Sequence, residues 1–72
     1  SLHMVNTILS EMKAGTRETS EFWMDNFAGK FIHIRYDAVR DEDGTYLGCL
    51  EVVQDITSLR TLNGSKRLLD SE

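Results

Sequence analysis

Cys49 is the only cysteine in the 72-residue chain and the first candidate for covalent chemistry, since a thiolate is the most nucleophilic group a side chain offers. A thiol reacts at neutral pH only when a base or nearby cations lower its pKa, and "YLGCLEV" supplies neither. The expectation is an inert, partly buried thiol. His33 lies between Ile32 and Ile34 and alternates with Arg35 and Asp37, which puts it at the surface or beneath a covering helix. Asp41, Glu42 and Asp43 carry enough charge for calcium, but that ion takes about six to eight oxygen ligands, and a three-carboxylate turn reads as a solvated loop. No Ser-His-Asp grouping, phosphate-binding glycine loop, paired carboxylate site or zinc-spaced Cys and His cluster is present. Neither catalysis nor a metal site is expected.

Length and charge narrow the classes further. Seventy-two residues make one domain with a small core, the kind that gains from a staple, a metal or a partner, and a single cysteine cannot form a disulfide within the chain. Eight basic residues stand against twelve acidic ones, a net charge of -4, and the basic residues are scattered, so the footprint of a nucleic-acid binder is missing. No apolar run approaches the roughly 20 residues that span a bilayer, and no signal segment is seen. A soluble protein in the reducing cytoplasm is expected. The chain enters an apolar pattern directly from Ser1, as a piece of a longer protein would.

The elements that position these residues follow from periodicity. Leu2, Val5, Ile8, Leu9 and Met12 recur at helical spacing, with Gly15 where a C-cap glycine belongs, predicting a helix over about 2–14. Alternation then takes over. Phe22 and Met24 alternate with Glu21, Trp23 and Asp25, and Ile32, Ile34, Tyr36 and Ala38 alternate with His33, Arg35 and Asp37, giving two strands joined through "NFAGK". Asp43-Gly44 suits a second tight turn. It leads into a third strand, about Tyr46 to Gln54, apolar on both sides and so expected to be covered at least partly on both faces. The sheet is bounded at about 19–57. After it, Asp55 and Thr57 offer N-cap oxygens to a helix or linker over 58–70, with Leu59, Leu62, Lys66 and Leu69 on one stripe and Asn63-Gly64 as an interruption. The fold class is α+β: a helix, a three-stranded antiparallel meander and a C-terminal helical segment, burying Ile32, Ile34, Leu50 and Val52.

This order resembles the C-terminal half of a PAS sensory domain. The resemblance rests on "DEDGTYLGCLEVVQDIT", similar to the last hairpin strand and Asp-Ile-Thr exit of that family, and on "EFWMDNFAGKFIHIRYDAVRDEDG" before it. More narrowly, the run from "SLHMVNTIL" through "KRLLD" is similar to the PAS-type domain at the C-terminal end of bacterial proteins that also carry a haemerythrin-like helical domain. The resemblance implies a concave sheet face with Ile32, Ile34, Tyr36, Leu50, Val52 and Gln54 as candidates to line a small-molecule pocket. It also implies signal relay through the last strand and its exit, at Leu50, Val52, Gln54, Asp55 and Thr57. Haem-sensing relatives hold iron through a histidine on the corresponding helix, which makes His3 a candidate ligand, although one imidazole is a poor ligand set. Flavin-binding relatives use a glutamine where Val52 stands and a cysteine on a helix this chain lacks, so a flavin photosensor is not expected.

The function expected is therefore a non-enzymatic sensory and interaction module. The competing readings are a structural homo-oligomerisation module without a ligand and a haem-binding redox sensor. In the PAS arrangement the last strand pairs with a first strand that these residues do not include. The outer edge of 46–56 is thus expected to be unpaired, and the chain to form a homodimer or higher oligomer through that edge or the face beside it.

Overall fold

The computed structural model describes residues 2–69. Its elements are α1 (Leu2–Ala14), β1 (Thr19–Phe27), β2 (Lys30–Arg40), β3 (Tyr46–Asp55) and a 3-10 turn at Leu59–Thr61. The strands form one antiparallel sheet in the order β1-β2-β3. This bears out the helix and the sequential meander.

The helix stops where its backbone must turn left-handed. Gly15 has φ 85°, its amide donates to the Met12 carbonyl at 3.2 Å, and the Thr16 amide reaches back to the Glu11 carbonyl at 2.9 Å. That pair of bonds is a Schellman motif and satisfies carbonyls the helix leaves open. The first hairpin is a two-residue loop, Ala28-Gly29 between the paired Phe27 and Lys30, and both loop residues have positive φ, 52° and 81°. Such a turn matches the twist of the flanking strands. Just before it the register shifts between Met24 and Phe27, with Asn26 also at positive φ, as in a β-bulge. The second hairpin is organised by Asp41, whose carboxylate accepts the amides of Asp43 and Thr45, both at 2.9 Å. Within that loop Gly44 has φ 86°.

Arg40 ties these parts together. Its guanidinium donates to the Met12 carbonyl at the end of α1, to both Glu18 carboxylate oxygens at 3.1 Å and to the Gly44 carbonyl at 3.3 Å, and it lies 5.6 Å from the centre of the Tyr46 ring. The helix thereby crosses the face of the sheet that carries Ser20 and Phe22. Little lies between them. Met12 and Ile34 are the buried apolar side chains of the described residues, with Val5, Ile8, Leu9 and Ile32 half-buried.

Two expectations are corrected. Leu50 is 55% exposed and Val52 37% exposed, because the register puts them on the face away from the helix. Arg40 pairs with Tyr46, but the next pair is Val39 with Gly48, so Leu47 is an extra residue. One extra residue reverses the facing of everything after it. Ile34 and Tyr36 therefore stand opposite Val53 and Glu51 on the inner face, while Leu50, Val52 and Gln54 stand opposite Asp37, Arg35 and His33 on the outer face. The second correction concerns the C-terminal helical segment, of which only the turn at Leu59–Thr61 forms. From Leu62 the backbone is extended, Gly64 turns left-handed at φ 63°, and Leu68 is 99% exposed. A single apolar stripe with nothing to pack against does not hold so short a helix. Residue 70, the last of the expected segment, lies outside the described residues.

Two measurements check these features. Ala28→Asn places in the left-handed loop position a residue that tolerates it, and is expected to stabilise by about 1 kcal/mol. In a thermal melt followed by circular dichroism, that corresponds to a rise of about 4–8 °C for a domain of this size. Arg40→Gln is expected to speed amide exchange at Gly15 and Thr16 well before it affects the β1-β2 ladder, as read by hydrogen exchange.

Candidate functional site

Between α1 and β1 the small core leaves open space. Met4, Val5 and Ile8 of the helix face Ser20 and Phe22 across a cleft of about 350 Å³. A neighbouring hollow of about 430 Å³ shares Met4, Ile8 and Ser20 and adds His3, Thr7, Glu11 and Arg17. The first is mostly apolar. The second has a polar rim, where the Arg17 guanidinium donates to Glu11 at 2.9 Å. Phe22 continues into the sheet through a tilted contact with Tyr36, ring centres 6.0 Å apart. The Tyr36 phenol is held above its ordinary pKa chiefly by its hydrogen bond with Glu51, so it stays protonated with its O–H given to that carboxylate. Cys49 lies on the same inner face opposite Ala38, half-buried, and burial pushes its thiol pKa up. The group is a poor nucleophile at neutral pH.

The far end of β3 carries a second arrangement. The Asp55 carboxylate accepts the Thr57 amide at 3.1 Å and the Thr57 hydroxyl at 2.6 Å. That hydroxyl in turn accepts the Phe31 amide at 2.9 Å, and the Ile56 amide donates to the Phe31 carbonyl at 2.9 Å. Arg60 then stacks over the Phe31 ring, 4.0 Å from its centre. Asp55 and Thr57 do not cap a helix: they lock the exit segment onto the start of β2. Asp55 sits below the usual aspartate pKa, chiefly because of the Thr57 hydroxyl, then the Thr57 amide, with Lys30 adding a smaller contribution.

The structure thus divides the expected site residues between two faces. Ile32, Ile34 and Tyr36 are on the inner face beside the cleft, in register with Met24, Phe22 and Ser20. Leu50, Val52 and Gln54 are on the outer face, with the Glu21–His33 contact at 2.7 Å and the Arg35–Asp37 pair at 2.9 Å. Arg35 holds the Asp37 carboxyl below its ordinary pKa. His3 is exposed at the polar rim of the larger hollow. The Glu11–Arg17 pair, Thr7 and Ser20 around it are not the apolar walls that a haem needs. Sequence reasoning missed the cleft residues Met4 and Phe22 as lining, and it missed Arg40 entirely. The helical spacing of Val5 and Ile8 and the alternation of Phe22 would have found much of the cleft once helix and strand were stacked, but no local pattern marks Arg40 as a tie.

An open antiparallel sheet with one helix across its inner face and a clamped Asp-Ile-Thr exit defines a small α+β domain. The PAS domain family model matches residues 1–57, and the chain belongs to the PAS domain family. It is also similar to a C-terminal domain from Streptococcus mutans seen in a crystal structure, at 35% identity and a TM-score of 0.78. The match covers 86% of this chain and 47% of that one, so the chain spans about half the length of its structural relative. No curated protein matches the chain.

The clamp predicts a pH dependence. A carboxylate whose folded pKa is depressed stabilises the fold above the unfolded value, about 3.9, and loses that contribution as pH falls through the lower folded value. Asp55→Asn is expected to lower the melting temperature at pH 7 and to flatten its fall below about pH 4, with Asp37 leaving a residual slope.

Proposed function

We propose that the chain is a PAS-type sensory and interaction module in which a small, largely apolar molecule enters between α1 and the inner face of the sheet. The observation that carries this reading is the clamp at Phe31. The exit segment is hydrogen-bonded to the residue beside Ile32, an inner-face residue of the strand that also pairs with Phe22. A ligand that wedges α1 from β1 shifts β2, and the Phe31 bonds carry the shift to Asp55 and Thr57 and on to the exit. Val5, Ile8 and Phe22 supply apolar contact, and Ile32, Ile34 and Tyr36 form the sheet around them. The narrower likeness to proteins that combine such a domain with a haemerythrin-like one makes a helical neighbour on the same polypeptide a natural receiver of the signal. No described helix is long and apolar enough to cross a membrane.

Homo-oligomerisation belongs to the same reading. β3 is an edge strand of the described sheet, and Leu47, Leu50, Val52 and Val53 are exposed along it. Unprotected edges of this kind take up further strands.

A thermal-shift screen with small apolar molecules tests the ligand reading. A compound present at about 100 times its Kd is expected to stabilise the fold by about 2.7 kcal/mol. Met4→Lys, at the exposed mouth of the cleft, is expected to abolish the shift without unfolding the chain. A screen without any shift, alongside a stable dimer in sedimentation equilibrium, would favour a purely structural module.

A further inference from the structure

Polar and apolar residues run side by side along α1. His3, Thr7 and Glu11, each four residues from the next, form one row, and Met4 and Ile8 form the neighbouring row, and both rows border the space next to β1. The two hollows follow these rows. The apolar cleft and the polar hollow share Met4, Ile8 and Ser20, so they adjoin, with Val5 and Phe22 at one end and Arg17 and Glu11 at the other. Both walls lie within residues 2–27 and are consecutive elements joined by the tight link at 15–18.

The polar end selects the head group of a ligand. Glu11 accepts the Arg17 Nε–H at 2.9 Å, which fixes the guanidinium by one nitrogen and leaves its two terminal nitrogens without a partner among the described residues. Those parallel N–H groups match a carboxylate. The Ser20 hydroxyl, where the two hollows meet, likewise makes no hydrogen bond within the described residues. Arg17, Ser20 and the His3 ring thus offer donors around one space, and a carboxylate is a pure acceptor. Glu11 narrows the choice further. Its negative charge in the same hollow opposes a doubly charged head, such as a phosphate monoester, twice as strongly as a singly charged one.

We propose that the molecule held between α1 and β1 is a monocarboxylic acid with a short apolar tail, the tail against Val5, Ile8 and Phe22 and the carboxylate on the terminal nitrogens of Arg17 and the Ser20 hydroxyl. This rests on the ligand reading above and names its chemical class. Titration of the isotope-labelled chain with hexanoate, hexan-1-ol and hexylammonium, three heads on one tail, tests it through the NMR shifts of the Ile8, Ser20 and Phe22 amides and the Arg17 Nε–H. Hexanoate is expected to bind about fivefold more tightly than hexanol, the modest factor of a charge pair that water still reaches, and hexylammonium more weakly than either. Arg17→Gln is expected to bring hexanoate down to the affinity of hexanol while leaving hexanol unchanged. Glu11→Gln is expected to hold hexanoate at least as tightly, since it removes a like charge. Equal binding of hexanoate and hexanol overturns the acidic head and leaves the apolar cleft standing. Tightest binding by hexylammonium, lost in Glu11→Gln, gives the polar end to a cation and also overturns the proposal. If none of the three moves the cleft amides, the ligand reading itself falls with it.

Discussion

The guanidinium of Arg40 joins four segments that packing alone does not hold: the end of α1 at Met12, the link at Glu18, the second turn at Gly44 and the start of β3 at Tyr46. Its chemistry suits the task. A helix C-terminus carries partial negative charge on unpaired carbonyls, a carboxylate accepts charge-assisted bonds from the guanidinium on both its oxygens, and the flat cation also lies against an aromatic ring. Met12, whose carbonyl is bound, is also the most deeply buried side chain of the described residues. The placement of the helix is thus set at one point by both polar and apolar contacts. The cleft near the N-terminal end of α1 follows from this, because the helix is anchored at one end and only loosely packed at the other.

Local order was legible in the sequence, and long-range order was less so. The helix bounds, the C-cap glycine and the three strands follow from spacing that depends only on nearest neighbours, as at Val5, Ile8 and Met12 or at Ile32, Ile34 and Tyr36. What failed was parity. Even-numbered apolar residues on β2 and β3 look as though they share a face, and they would if the second hairpin were regular. Leu47 adds one residue and sends Leu50, Val52 and Gln54 to the other side. Nothing in "GTYLGCL" distinguishes a bulge from a regular strand start, since Gly48 is compatible with both.

That bulge gives the two faces different work. The inner face keeps the aromatic and aliphatic residues near α1, with a thiol and a phenol that are both neutral at physiological pH. The outer face combines Leu50 and Val52 with polar side chains already partnered within the chain, His33 with Glu21 and Arg35 with Asp37. The exit segment connects to both, because the Thr57 hydroxyl and the Ile56 amide bond to the Phe31 backbone of β2 while Asp55 holds Thr57 in place. The Asp-Ile-Thr signature was legible as an end to the strand, but its actual role is a fastening between strands, and its partner Phe31 lies 26 residues away from Thr57.

The Cα envelope measures 48 × 33 × 14 Å, the proportions of a slab. A body one sheet and one helix thick has almost no interior, so unfolding it exposes little apolar surface that was not already wet. The heat-capacity increment of unfolding scales with that newly exposed surface. Its stability curve is consequently shallow, with a broad maximum and gradual flanks, and the folded population of a lone chain drifts with temperature where that of a thicker domain switches.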